Sequence, residues 1–174
     1  MLQRLCNHAS LVIVGMIVGA ALAAGWHGVS RVVPAYATAT HGSDNFAIAT
    51  GLVDDGIEAL YFLDFLTGDL RAAVISRRTG QFSAFFQYNV LGDFASVSDS
   101  PKFLMVTGTA DIPRGRGVTQ ISKSLIYVAE ATSGQVFAYV LPFNSTLNAA
   151  GKVQSGQFIR VGGGFFRDAF VRDP

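Results

Sequence analysis

The sequence is poor in the residue types on which most enzymatic and metal chemistry depends. It holds one cysteine, Cys6, one tryptophan, Trp26, and three histidines, and none of these types occurs after His41. A Ser-His-Asp or Cys-His catalytic device cannot be assembled from residue 42 onward. Thiolate and imidazole sites for zinc or haem fall on the same ground, and no cofactor or metal is expected. With a single cysteine no disulfide forms within the chain, so the fold has to rest on packing. Charge is scarce too: 14% of residues are Asp, Glu, Lys or Arg, and the formal net charge is +1. Nucleic acid requires a basic patch to replace phosphate counterions, so it is not an expected partner. Proline is limited to five residues while glycine reaches 19, a balance suited to many strands joined by tight turns.

What the chain does hold is apolar residues, half of its 174 positions. Leu11 to Ala24 is an unbroken apolar run, preceded by Arg4 and followed by Gly25 and Trp26. That is the plan of a secretory signal, with positive charge before the run keeping that end inside. The small-x-small triplets Ala21-Leu22-Ala23 and Ala35-Tyr36-Ala37 offer cleavage sites. Against cleavage, the run with its edges nears the minimum of about 17 residues for a spanning helix. Gly15, Gly19 and Ala23 would share one face of that helix, a spacing that permits close helix contact. Residues 1–26 are therefore expected to be a signal peptide or signal anchor. The anchor would hold the protein in the cytoplasmic membrane through residues 11–26, with the remainder outside the cytoplasm; cleavage would leave it periplasmic or secreted. Residues 27–44, rich in Ala, Thr, Gly and Ser around Pro34, read as a linker.

The rest of the sequence is punctuated by four small-hydroxyl–glycine signatures between runs of Val, Ile, Leu, Phe and Tyr. They are Thr67-Gly68-Asp69, Thr79-Gly80-Gln81, Ser133-Gly134-Gln135 and Ser155-Gly156-Gln157. Each reads as the corner of an antiparallel hairpin, where glycine takes a positive φ without a Cβ clash. The segments between them correspond in two halves, with Gly68 matching Gly134 and Gly80 matching Gly156. The expected fold is all-β: two repeated four-stranded antiparallel meanders, residues 45–100 and 101–174, preceded by the N-terminal transmembrane or signal helix. Strands are expected near 46–53, 58–65, 70–77, 82–90, 102–110, 124–131, 135–143 and 156–161, and 165–171 offers a ninth. The string Tyr61-x-x-Asp64-x-x-Thr67-Gly68-x-Leu70, echoed from Tyr127 to Val136 around Glu130, resembles the blade signature of β-propellers of the quinoprotein-like type. The resemblance implies four-stranded antiparallel blades with Asp64 and Glu130 near a corner between two strands. Neither copy carries the tryptophan such repeats place after the turn, and no quinone-binding residue carries over.

Several middle strands, such as Leu60 to Phe65, are apolar at successive positions, and strands of that kind are usually covered on both faces. A homo-oligomer is the expected cover. Asp64 and Glu130 are expected to accept hydrogen bonds from backbone N–H groups at their corners; as a catalytic pair they would have to lie about 5–9 Å apart. The acidic cluster Asp54-Asp55-Gly56 reads as a hairpin turn. Gly162-Gly163-Gly164 reads as a bulge or a close approach of backbone. Arg114 and Arg116, in the basic loop Pro113–Gly117, are the candidate ligand-binding residues, suited to an acidic glycan or envelope polymer. The function expected is non-catalytic: binding or self-assembly at the cell envelope. A lectin-like ligand-binding module and a carboxylate-dependent hydrolase are the alternatives.

Overall fold

The computed structural model describes residues 15–16, 18–19, 40–94, 101–110, 112 and 120–167. The chain divides into two units, Met1–Tyr36 and Ala37–Pro174. Of the first, Gly15, Met16, Val18 and Gly19 are described, and all four are helical. The remainder of the expected signal or anchor segment lies outside the described residues. No helix among the described residues is long and apolar enough to cross a membrane.

The second unit is mostly β, and its sheets are open. The larger sheet has the order β1 (Thr40–Gly42), β2 (Phe46–Asp54), β3 (Ile57–Asp64), β4 (Asp69–Ile75), β5 (Phe82–Asn89) and β11 (Gln154–Gln157). The smaller has the order β12 (Ile159–Phe165), β9 (Gln135–Val140), β8 (Ser124–Glu130) and β6 (Phe103–Thr109). A two-stranded ribbon joins β7 (Gln120–Ile121) to β10 (Pro142–Phe143), and one short helix, α1, spans Ser145–Ala149. Every pairing is antiparallel except that of β11 with β5.

Three corners share one construction. At Asp64–Gly68, Ser76–Gly80 and Glu130–Gly134 the glycine N–H donates to the carbonyl four residues earlier, at 2.9 Å in each case. The glycines take φ of 68°, 69° and 70°, a region where a Cβ is strained. In each corner the first residue's side chain accepts from the N–H groups two and three residues on: Leu66 and Thr67, Arg78 and Thr79, Thr132 and Ser133. Gly156 is a correction. It lies inside β11 with no positive φ, paired with Phe86 of β5, and a Cβ there would stand 3.2 Å from the Phe86 ring. The small residue serves close strand packing, not a turn. The fourth strand of the smaller sheet is accordingly β12, later than the expected 156–161. Thr40–Gly42, inside the expected linker, pairs with β2 as a strand.

Side-chain alternation then builds one core between the sheets. On β3, Ile57, Ala59, Tyr61 and Leu63 are buried while Glu58 and Leu60 are exposed. Leu60 thus lies on the outward face of a strand whose inward side chains are buried in the core. Ala47, Ala49, Tyr61, Leu70 and Val74 of the larger sheet join Phe103, Met105, Ile126, Val128 and Tyr139 of the smaller in a single cluster. The inter-sheet approach is closest along β2 and β6. There Thr107 Oγ1 donates to the Thr50 carbonyl at 2.6 Å, and a Cβ on Gly51 would lie 2.8 Å from Ser124 Oγ. Small inward residues on β2 admit that approach. Away from it, rings fill the space: Tyr88 against Tyr139 at 5.5 Å and Phe94 against Phe137 at 5.0 Å between centroids.

Candidate functional site

The outward face of the larger sheet holds a hollow. Strand register puts Leu60, Ala73, Phe85 and Ser155 in one cross-strand row and Phe62, Arg71, Gln87 and Gln157 in the next. Ala73 sits between larger neighbours, so the surface dips, and Leu60, Phe62 and Phe85 form its walls. The result is a groove of about 730 Å³. Its apolar side is reinforced by Phe46 stacked on Phe62 at 5.1 Å. Its polar side carries the Gln87 and Gln157 amides and the Arg71 guanidinium, which Asp69 Oδ2 holds at 3.1 Å. Leu60 and Phe85 are 41% and 49% exposed, a large apolar outlay for an uncovered sheet face.

The outward face of the smaller sheet is apolar throughout its open rows. Leu104, Ala129, Val136 and Gly164 form one row, and Val106, Tyr127, Ala138 and Gly162 the next. No side chain in either row is charged, and Leu104 and Val106 are 62% and 53% exposed.

A buried polar centre ties the two sheets together. Asp93, on the 3-10 turn Leu91–Asp93 that follows β5, accepts from Tyr139 OH at 2.9 Å and from Arg160 Nη1 at 2.7 Å. The Asp93 side chain is 8% exposed, and the Arg160 guanidinium lies 5.3 Å over the Phe137 ring. Burial, followed by the hydrogen bond and charge of Asp93, pushes the Tyr139 hydroxyl above its ordinary range. Tyr88 is pushed up by the same causes in the same order. Both stay protonated at neutral pH, so Tyr139 is a fixed donor and not a proton acceptor. Tyr61, hydrogen-bonded to Ser124 Oγ at 3.0 Å, is pushed up to about 12 by burial, with Ser124 and Ser122 opposing. Sequence reading missed this centre; the inward parity of Tyr139 on β9 was its one visible signal.

The residues singled out from sequence fall apart in space by role. Asp64 closes a corner of the larger sheet and Glu130 a corner of the smaller. Glu130 is fully buried, with Oε1 accepting from Thr132 N at 3.0 Å and Oε2 from Ser133 N at 2.7 Å. Burial pushes its carboxyl up, but the bonds from Ser133 and Thr132 together outweigh it and leave it below the ordinary value. A carboxylate so enclosed has no path to a substrate. Gly68, Gly80 and Gly134 sit at the corners described above. Asp54-Asp55-Gly56 turns β2 into β3, with Gly56 at φ 64° and Asp55 paired with Lys123. Gly163 is a close approach: a Cβ would fall 2.0 Å from Phe137 Cδ1. Arg114 and Arg116 lie outside the described residues. Among the described residues, no group of three or more His, Cys, Asp or Glu is placed to hold a metal ion. No protein-family model matches the chain, and neither the curated proteins nor the solved structures contain a match.

Proposed function

We propose that the chain is an exported, membrane-tethered β-domain, built by duplication of a blade-like meander, whose role is binding through self-assembly at the cell envelope. The observation that carries this reading is the apolar outward face on each of the two sheets. Burying a Leu or Phe contributes about 1.5–3 kcal/mol relative to leaving it in water, so cover for both faces would be strongly favoured. What supports the duplication is that each half runs as a meander, β2-β3-β4-β5 in the larger sheet and β6-β8-β9-β12 in the smaller, with the Asp64 and Glu130 corners between corresponding strands. The close approach at β2 and β6, with rings filling the space beyond, supports blade-like wedges. The run Leu11 to Ala24 after Arg4 supports export and tethering. Light scattering of the full-length chain with Cys6→Ser, which removes adventitious disulfides, tests assembly. An oligomer is expected; a monomer at every concentration would end the proposal.

A second reading rests on the groove alone. Its aromatic wall beside Arg71, Gln87 and Gln157 offers a stacking platform and hydrogen-bond donors, the combination that suits an acidic glycan. Arg114 and Arg116 would add charge to such a contact. A glycan array is expected to give a signal lost in Arg71→Ala, and weakened in Arg114→Ala/Arg116→Ala, if this reading holds.

A further inference from the structure

Away from both sheet faces, we infer that the hollow between the β2–β3 turn, the Ser76–Gly80 corner and α1 binds a hydroxylated carboxylate of the acidic-sugar class. The inference rests on neither the assembly nor the groove. The hollow measures about 700 Å³, and its lining includes Asp54, Arg77, Arg78, Ser145, Thr146 and Ala149, a size that suits a small ligand. Its three walls are distant in sequence, and each is fixed by its own bonds. Gly56 turns β2 into β3 at φ 64°. The corner is closed by the Gly80 N–H, which donates to the Ser76 carbonyl at 2.9 Å. Helix α1 is capped by Asn144 Oδ1, which accepts from Leu147 N at 3.0 Å. The Gln154 amide clamps the Asn144 backbone, donating to its carbonyl at 2.9 Å and accepting from its N–H at 3.0 Å. Walls braced in this way do not have to be ordered by the ligand.

The ligand class follows from which charges are already matched. Among the described residues the ion pairs are Arg71–Asp69, Lys123–Asp55 and Arg160–Asp93, so neither arginine of the hollow has a carboxylate partner. Each is tied instead to backbone. Arg77 Nη1 donates to the Asp55 carbonyl at 3.5 Å and Arg78 Nη1 to the Ala150 carbonyl at 3.2 Å. Gly151, at φ 69°, lets Arg78 cross, since a Cβ there would stand 3.3 Å from Arg78 Cδ. A guanidinium carries five N–H donors, so most of each fork stays open to a carboxylate, whose geometry it matches. Asp54 selects the rest of the ligand. Its Oδ1 accepts from the Asp55 N–H at 2.9 Å, which leaves Oδ2 to accept from hydroxyls and to repel a ligand that is anionic throughout. Ser145 and Thr146 are exposed, and their hydroxyls can donate or accept. A carboxylate at one end and hydroxyls at the other meet both demands; inorganic phosphate meets only the first.

The test follows glucuronate binding to the full-length chain by saturation-transfer difference NMR, with glucose and inorganic phosphate as comparison probes. Glucuronate is expected to receive transfer and glucose none, and equimolar phosphate is expected to leave the glucuronate signal standing. No transfer to glucuronate, or equal transfer to glucose, would overturn the site. Displacement of glucuronate by equimolar phosphate would overturn the sugar-acid assignment. Arg77→Gln/Arg78→Gln is expected to weaken glucuronate binding at least about tenfold. Because that change also frees the Ala150 carbonyl, Ala149→Glu serves as an independent variant. It sets a carboxylate on an exposed position of α1, where it competes with the ligand for the arginines, and is expected to abolish transfer. Retained binding in either variant, with an unchanged circular dichroism spectrum, would refute the site. Arg71→Ala is expected to leave binding unchanged; its loss there would place the ligand in the sheet groove and overturn the hollow.

Discussion

At the scale of single residues, two positions carry more structural weight than their surroundings suggest. Glu130 accepts two backbone N–H bonds where it has no exposed surface. Its carboxyl is held below its ordinary value of 4.5, so the ionised form is bound more tightly in the folded state than in the unfolded chain. The stability this adds is fully present above 4.5 and is lost as pH falls through the lower, folded value. Glu130→Gln is expected to cost about 1–3 kcal/mol at neutral pH and to flatten the acid limb of a melting-temperature profile against pH. An unchanged acid limb would show that the carboxylate does not contribute this way. Gly163→Ala is the second case. The Phe137 ring occupies the space of the missing Cβ, and Phe137 in turn carries the Arg160 guanidinium. The substitution is expected to cost about 1–3 kcal/mol through overpacking, measured by chemical denaturation, whereas Gly162→Ala, with open space at its Cβ, is expected to cost less.

At the scale of elements, the corner motif shows what the sequence could and could not convey. The strands from β2 to β5, and β6, β8 and β9, fall within a residue or two of their expected spans, apart from a β9 that ends at Val140. Apolar runs bounded by Thr-Gly or Ser-Gly determine those limits locally. Ser155-Gly156-Gln157 carries the same triplet and yet makes no corner. The difference lies four residues before the glycine. Asp64, Ser76 and Glu130 supply an acceptor for the turn's N–H groups, but the residue four before Gly156 is Lys152, which cannot accept. The full signal is an acceptor at the first position and a glycine at the fifth. Strand β11 was not legible for another reason: Gln154–Gln157 has no apolar alternation, and its place beside β5 is decided by a long-range parallel pairing. The Asp93 centre likewise depends on three segments far apart in sequence. Substitutions at the corners should separate conformational strain from crowding. Gly80→Ala meets only the cost of positive φ, about 1–2 kcal/mol, since nothing stands near its Cβ. Gly68→Ala adds a clash with Leu91 Cγ at 2.4 Å and is expected to lose a further 1–3 kcal/mol or about that. Equal losses in urea denaturation would refute the packing account of Gly68.

At the scale of the whole molecule, the sparse charge and the apolar outward faces lead to one physical expectation about how the chain responds to its surroundings. If copies cover one another through those faces, association is driven mainly by removal of apolar surface from water. Folded chains are then stabilised by mass action, and each tenfold rise in protein concentration adds up to about 1.4 kcal/mol per binding step once assembly is populated. The melting temperature is therefore expected to climb with protein concentration. Screening of surface charge should matter little, because the open rows of the smaller sheet hold no charge and Arg71 is paired within its own sheet. Sodium chloride between low and physiological strength is expected to leave the concentration dependence unchanged. An assembly held instead by charged loops such as the one around Arg114 and Arg116 would weaken as salt rises. Differential scanning calorimetry across a concentration series at two salt levels separates the cases. A melting temperature independent of concentration refutes self-cover, and one whose concentration dependence collapses with salt moves the interface away from the sheet faces.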